Sequence, residues 1–270
     1  MSPIRRASIH AEAARHVLAV HARDVAPQPD PALVAVSHGT NSRAGQAAIA
    51  ALVAAVASAR PDLRVSGGFV DVQQPDVAAT LGALPAASAA IVVPLLLSAG
   101  YHVHVDLQKE TAAVDRDTLV SAALGPDRRL IEVLALRLSQ AGYHRGDELV
   151  LAAAGSSDAR AVDDCREAGR MLAAYLGVRV TVGFLSAARP RLACAVAAAR
   201  IRNPVARLAL SSYLMAPGFF VDLTARVGAD LLSEPLLVSD EAPPAGLVEL
   251  VIDRYTDADR CAGRAAARAA

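Results

Sequence analysis

The sequence predicts an α/β protein of two similar lobes, each a parallel four-stranded sheet with helices on both faces and an active cleft between the lobes. Three observations carry that reading. Short, near-continuous apolar runs alternate with helical stretches, the order of strands and helices starts afresh midway through the 270 residues, and the two halves share their turn residues. A hydrophobic fraction of 54% with 20% charged residues fits an ordered chain with a large core.

The first unit opens with "LVAVSHG" from Leu33, an apolar run ending in glycine. "TNSRAGQAAIAALVAAVASARP" then supplies polar N-cap candidates, an apolar stripe at Ile49, Leu52, Val53 and Val56, and Pro61 as a stop. Strand, turn and helix follow from that pattern. "LRVSGGFVD" and "AAIVVPLLL" read as two more strands separated by a helical stretch after Pro75; a fourth strand near Thr118 to Leu124 and a helix from Pro126 to Gln140 complete the half.

The second unit begins about 116 positions later, where "LVLAAAGSSDAR" at Leu149 matches "LVAVSHGTNSR" at Leu33. "VTVGFLSAARPRL" repeats "VSGGFVDVQQPDV", setting Phe184 on Phe69 and Pro190 on Pro75, and "SYLMAPGFF" repeats "PLLLSAGYH" with Gly218 on Gly100. The expected organisation is a leader over 1–32, a histidine-bearing lobe over 33–145, its duplicate over 146–254, and a disordered alanine-rich tail over 255–270.

Bulk properties exclude several classes. Lys+Arg and Asp+Glu both total 27, so no global field attracts nucleic acid or an anionic membrane. The leader lacks an uninterrupted apolar segment, and no run reaches the ~18 apolar residues of a membrane span. Its His10, His16 and His21 are unevenly spaced and read as exposed imidazoles, not a metal site. Cys165, Cys194 and Cys261 are odd in number and far apart, which argues against disulfides or a zinc site and places the chain in a reducing cytoplasm.

The copies differ where chemistry would matter. His38 becomes Ala154, His102 becomes Phe220 or Gly218 depending on the gap, and no histidine follows His144. In the common doubly wound strand order the first and third strands are neighbours, about 4.8 Å apart, and ligands bind at their carboxyl ends. His38 after the first strand and His102 after the third are therefore expected at one crevice, as a pair for a divalent metal or for taking protons from a ligand. Strand-like alternation would place His104 on the side of His102. The second lobe would then serve as a wall.

"VSHGTNSR", "GGFVDVQQPDV" and "VVPLLLSAGYHVHVDL", in that order after the first three strands, resemble the sirohydrochlorin chelatases, ATP-independent class II enzymes that insert a divalent metal into a tetrapyrrole. The likeness is strong from Leu33 to about Leu138 and weaker beyond, as in the long, internally duplicated form of that family. It implies that His38 and His102 bind the metal, with His38 also accepting a pyrrole proton. It implies further that Asp71, Ser98, Ala99, Gly100 and Tyr101 line the macrocycle. Many members carry Glu-Asp where this chain has Val105-Asp106, so Asp106 or His104 would have to supply the missing assistance.

A carboxylate-rich tetrapyrrole needs fixed cations. Arg43, in the first turn of a helix where the dipole disfavours it, is the leading candidate, with Arg189 and Arg191 of the second lobe facing the substrate from across the cleft. No organic cofactor is expected; the metal, Fe²⁺ or Co²⁺, is a substrate, with iron giving siroheme preferred over cobalt for a cobalamin route. A histidine phosphatase would need an arginine where Ser37 stands, and a non-catalytic metal or tetrapyrrole carrier would use the same cleft without turnover. Duplication within one chain favours a monomer with pseudo-twofold lobes.

Overall fold

Strand β1 (Ala32–Ser37) is buried at every position, as a central strand covered on both faces must be. The computed structural model describes residues 30–86, 88–98 and 101–269, and their side chains except at 101–106 and 265–269. Residues 1–29, with the three histidines of the expected leader, lie outside the described residues. Around β1 stand β2 (Val65–Phe69), β3 (Ala90–Pro94) and β4 (Thr118–Val120), all parallel, in the order β2-β1-β3-β4. The second sheet repeats this with β5 (Glu148–Ala153), β6 (Val180–Phe184), β7 (Leu208–Tyr213) and β8 (Leu231–Leu232) in the order β6-β5-β7-β8. The predicted pair of parallel four-stranded sheets is what forms, and the neighbouring first and third strands are present in both.

Side-chain alternation along each strand separates two apolar layers. Leu33 and Ala35 join one cluster with Leu52 and Val56 of helix α1 (Arg43–Ala59), while Val34 and Val36 join another with Val77 and Leu81 of helix α2 (Val77–Gly82). Helix α3 (Tyr101–Ala112) adds Leu107 to that second cluster. In the second sheet Leu149 and Leu151 face Cys165 and Leu172 of helix α5 (Ala159–Leu176), and Val150 and Ala152 face Ala195 and Ala199 of helix α6 (Leu192–Arg202). A short helix α7 (Phe219–Ala225) follows β7.

The helices that follow the fourth strands cross over. Helix α4 (Arg128–Gln140), started by Asp127, packs on α5 and β7 of the second half. Helix α8 (Ala245–Ala269) packs on α1 and β3 of the first half and meets α4. One apolar cluster therefore runs through α1, α4, α5 and α8 from one sheet to the other, and from Pro31 onward the chain is one compact unit. The 145/146 boundary divides the chain without dividing the core.

The disordered tail expected over 255–270 is corrected by α8, which continues to Ala269. Alanine and arginine are strong helix formers even without a cap, and the helix is pinned where the tail was to begin. Tyr255 is 3% exposed and its hydroxyl donates to the Pro31 carbonyl at 2.7 Å. Arg254 donates to the carbonyls of Ala123 and Leu124 at 2.8 and 2.9 Å. No helix among the described residues is long and apolar enough to cross a membrane.

Candidate functional site

His38 is the first residue beyond β1 and is exposed. The backbone beneath it is fixed by the loop after β2: Val70 N–H donates to the Ser37 carbonyl at 3.0 Å and Asp71 N–H to the His38 carbonyl at 3.1 Å. The next residue, Gly39, has φ +92°, and a Cβ there would lie 2.2 Å from the Asp71 carbonyl oxygen. Only glycine permits both the left-handed turn and the close approach. Gln73 then accepts the Thr40 N–H on Oε1 at 2.9 Å, and Gln46 of α1 donates to the Thr40 carbonyl at 2.8 Å. The "SHGTNS" and "DVQQPD" loops are thereby joined along their length.

Asp71 holds its carboxylate at the surface, with Oδ1 accepting the Val72 N–H at 2.7 Å. Val72 has φ +64° and is 48% exposed, a left-handed conformation rare for a β-branched residue. Asp71 and its neighbours border a depression of about 510 Å³ whose opposite side includes Glu110 of α3, so the loop after β2 opens toward the helix that follows β3.

The second copy reproduces this backbone with different side chains. Gly155 has φ +92°, a Cβ on it would lie 2.1 Å from the Ser186 carbonyl oxygen, and Ser186 N–H donates to the Ala154 carbonyl at 2.9 Å. Ala187, at φ +50°, stands where the first copy has Val72. Ala154 thus replaces His38 and Ser186 replaces Asp71 on one scaffold.

The segment leading to His102 leaves β3 beside β1, with Pro94 opposite Val36 and Leu95 N–H donating to the Val36 carbonyl at 2.7 Å. It is held from the second half: the Tyr213 hydroxyl donates to the Leu97 carbonyl at 2.9 Å, and Ser98 hydrogen-bonds Cys165 of α5. Burial pushes the Cys165 thiol up to about 11 and the Tyr213 phenol well above its usual range, so both are neutral hydrogen-bonding groups at neutral pH. Ser98 is half-buried there. Ala99 and Gly100, two of the residues expected to line a ligand, lie outside the described residues.

Tyr101, His102, His104 and Asp106 all belong to α3, and their side chains are outside the described ones. One expectation is corrected. Positions 102 and 104 both lie in the first turn of a helix, where residues two apart do not share a side as they would in a strand. The alternation in "HVHVD" mimics a strand, but a helix period governs it.

Arg43 is the first residue of α1, exposed, following the cap in which Ser42 Oγ accepts the Gly45 N–H at 3.3 Å. Among the described residues no salt bridge involves it. Arg189 and Arg191 are exposed in the loop after β6; Arg191 precedes α6 without a side-chain cap, whereas its counterpart Asp76 caps α2 by accepting the Ala79 N–H at 2.7 Å. The second half reaches the His38 loop directly. A Cβ on Gly45 would lie 2.2 Å from the Pro217 carbonyl oxygen, and one on Gly218 would lie 3.0 Å from Thr40 Oγ1. Sequence reasoning missed Gln73, Thr40 and Tyr213 as builders of this site, because the bonds that join them to it span 33 and 116 positions.

Fold and site together define a two-lobed α/β protein of the chelatase type, with a histidine at the carboxyl end of the central strand of one lobe only. The CbiX family model matches residues 32–141 and again 148–235, and the chain belongs to the CbiX family. Among solved structures, SirB from Bacillus subtilis with Fe³⁺ superposes with a TM-score of 0.71 at 20% identity, covering 85% of this chain and 96% of that one. The sirohydrochlorin chelatase SirB from Bacillus subtilis subspecies spizizenii in complex with cobalt gives a TM-score of 0.65 at 18% identity, over 86% and 96% of the two chains. CbiX, described as the terminal enzyme of siroheme biosynthesis in denitrifying bacteria, gives 0.60 at 21% identity, over 82% and 98%. No curated protein sequence matches the chain.

Proposed function

We propose that this protein is a sirohydrochlorin chelatase, inserting a divalent metal into the free-base tetrapyrrole without nucleotide. The observation that carries the reading is the CbiX match across both halves together with His38 at the end of β1. The segment containing His102 follows the neighbouring strand β3.

Metallation must remove two pyrrolic protons, shed water from the ion and deliver it to one face of the ring. His38 and His102 serve as metal ligands and proton acceptors, since a neutral imidazole can coordinate a metal ion and can take up a proton. Asp71, Ser98, Ala99, Gly100 and Tyr101 line the macrocycle, and Asp106 or His104 supplies the acidic or basic assistance that the absent glutamate would give. Arg43 and Arg189 take carboxylates of the substrate. Arg43 is supported by its exposure at a helix start, where an anion relieves the conflict with the dipole.

The metal in this reading is Fe²⁺, giving siroheme, with Co²⁺ as the competing substrate. The protein acts in the cytoplasm as a monomer. Purified protein mixed with sirohydrochlorin and either ion, followed by absorbance over several equivalents, tests the proposal. Repeated turnover supports a chelatase, and the faster ion identifies the preferred metal. Stoichiometric binding without turnover makes the protein a carrier, and no binding removes the reading.

A further inference from the structure

We propose that Phe219 and Phe220 form an aromatic platform with which the second half receives one face of the planar tetrapyrrole, an inference that rests on the chelatase reading above. The chain has four phenylalanines and no tryptophan, and two of the four are adjacent at the start of α7. Phe219 is 68% exposed while Phe220 is half-buried, with ring centroids 5.8 Å apart and planes tilted by 55°. Phe220 thus braces a ring that stands in solvent. A large exposed aromatic ring held by a partner is poised for an apolar, planar ligand.

Position gives the second argument. Helix α7 follows β7 as α3 follows β3, so Phe219 and Phe220 occupy the places of Tyr101 and His102 in the duplicated scaffold. The half that lost its histidines carries aromatic rings where the other carries an aromatic and an imidazole. The third argument is contact. Gly218, immediately before the pair, packs against Thr40, and Pro217 packs against Gly45, so the platform begins one residue from the loop that holds His38. Arg43 lies in that same loop-to-helix junction, exposed.

These features together describe an occupant with a flat conjugated face and an anionic rim. Asp222, in the first turn of α7, is the acidic group nearest in sequence; it favours a ligand whose carboxylates point toward Arg43 and away from α7. A tetrapyrrole polycarboxylate meets both conditions. The rings recognise the conjugated face, which free-base and metallated macrocycles share, so their contribution is to binding and not to the metal-transfer step.

Titration of free-base sirohydrochlorin by absorbance, with no metal present, reads this platform directly. Phe219→Ala is expected to weaken binding about tenfold and to raise KM by a similar factor with kcat little changed. Phe219→Tyr should retain wild-type affinity, and Phe219→Leu should recover only part of it, because an aliphatic chain restores area without a stacking face. Circular dichroism and melting of each variant confirm that the fold is kept. Equal affinity for wild type and Phe219→Ala overturns the inference while leaving the chelatase reading in place. Failure of the wild type to bind overturns both. A dimer in analytical ultracentrifugation that dissociates in Phe219→Ala, with tetrapyrrole affinity unchanged, would assign the rings to a second copy of the chain instead.

Discussion

The imidazole of His38 owes its place to atoms that are not chemical participants. Its own carbonyl and that of Ser37 are engaged by the loop after β2, and Gly39 turns the chain so that the side chain projects at the strand end. His38→Ala removes an exposed ring, so stability should change by less than about 0.5 kcal/mol while metal insertion is lost; a melting curve and a turnover assay separate the two. Gly39→Ala should do the reverse kind of damage. Its Cβ would meet the Asp71 carbonyl in a left-handed turn, which costs about 1–3 kcal/mol and displaces both loops, so melting temperature and kcat fall together. Gly155→Ala offers the internal comparison. The same strain in the second copy should lower stability by a like amount and leave a greater share of activity, because Ala154 and Ser186 carry no reactive group. Tyr213→Phe leaves the Leu97 carbonyl without its buried donor, a loss of about 1–2 kcal/mol measurable by denaturant titration.

Among the elements, strands were the most legible in the sequence, and the reason is burial. β1 and β3 are covered on both faces, so their apolar runs admit no helical period and end at clear turn residues. Helix α1 was equally readable, since its buried Ile49, Leu52 and Val56 fall on one stripe and Ser42 caps it. The start of α3 was not, because "YHVHVD" alternates like a strand and has no cap signal. Nor could the sequence place α4 and α8: an amphipathic helix announces that one face is covered, but not which sheet covers it. The site divides the same way. His38 was legible from a strand-glycine junction within one stretch, whereas Gln73 and Tyr213 act across 33 and 116 positions and leave no local pattern.

Asp127 shows what holds such a crossing helix. Burial alone would raise its pKa, but the Arg129 side chain and backbone N–H and the charge of Arg254 outweigh that and lower it. A carboxylate lowered in the folded state stabilises it above the unfolded pKa of about 3.9, and that stabilisation is lost as pH falls through the lower folded value. Wild-type stability should therefore decline below about pH 4 with a component that Asp127→Asn lacks. At pH 7, Asp127→Ala, which also removes the cap of α4, should cost about 1 kcal/mol. Melting temperature against pH for the three proteins checks both statements.

At the scale of the molecule, the exchange of final helices decides how the chain can be divided. Leu247, Leu250, Val251 and Tyr255 of α8 are buried in the cluster that also contains Ile91 and Val93 of the first sheet. Leu130, Leu134 and Leu138 of α4 are buried in that cluster alongside Leu149 and Leu151 of the second. Arg129 ties the two crossing helices through Asp253 at 2.6 Å. A fragment ending at 145 would expose the apolar face of its own sheet for want of α8, although it contains every histidine assigned to the reaction. Each buried leucine left uncovered forfeits roughly 1.5–3 kcal/mol, so that four or more of them forfeit an amount comparable to the whole stability of an ordinary domain. The fragment 31–145 should therefore be unfolded by near-ultraviolet circular dichroism. Truncation after Pro244, which removes α8 from the intact chain, should abolish the cooperative transition in both halves at once. Truncation after Arg260 keeps Tyr255 and its bond to Pro31, and should melt within a few degrees of the full chain. A 31–145 fragment that folded and turned over metal alone would mean that the second half, with its crossing helix and its phenylalanines, contributes neither stability nor substrate contact.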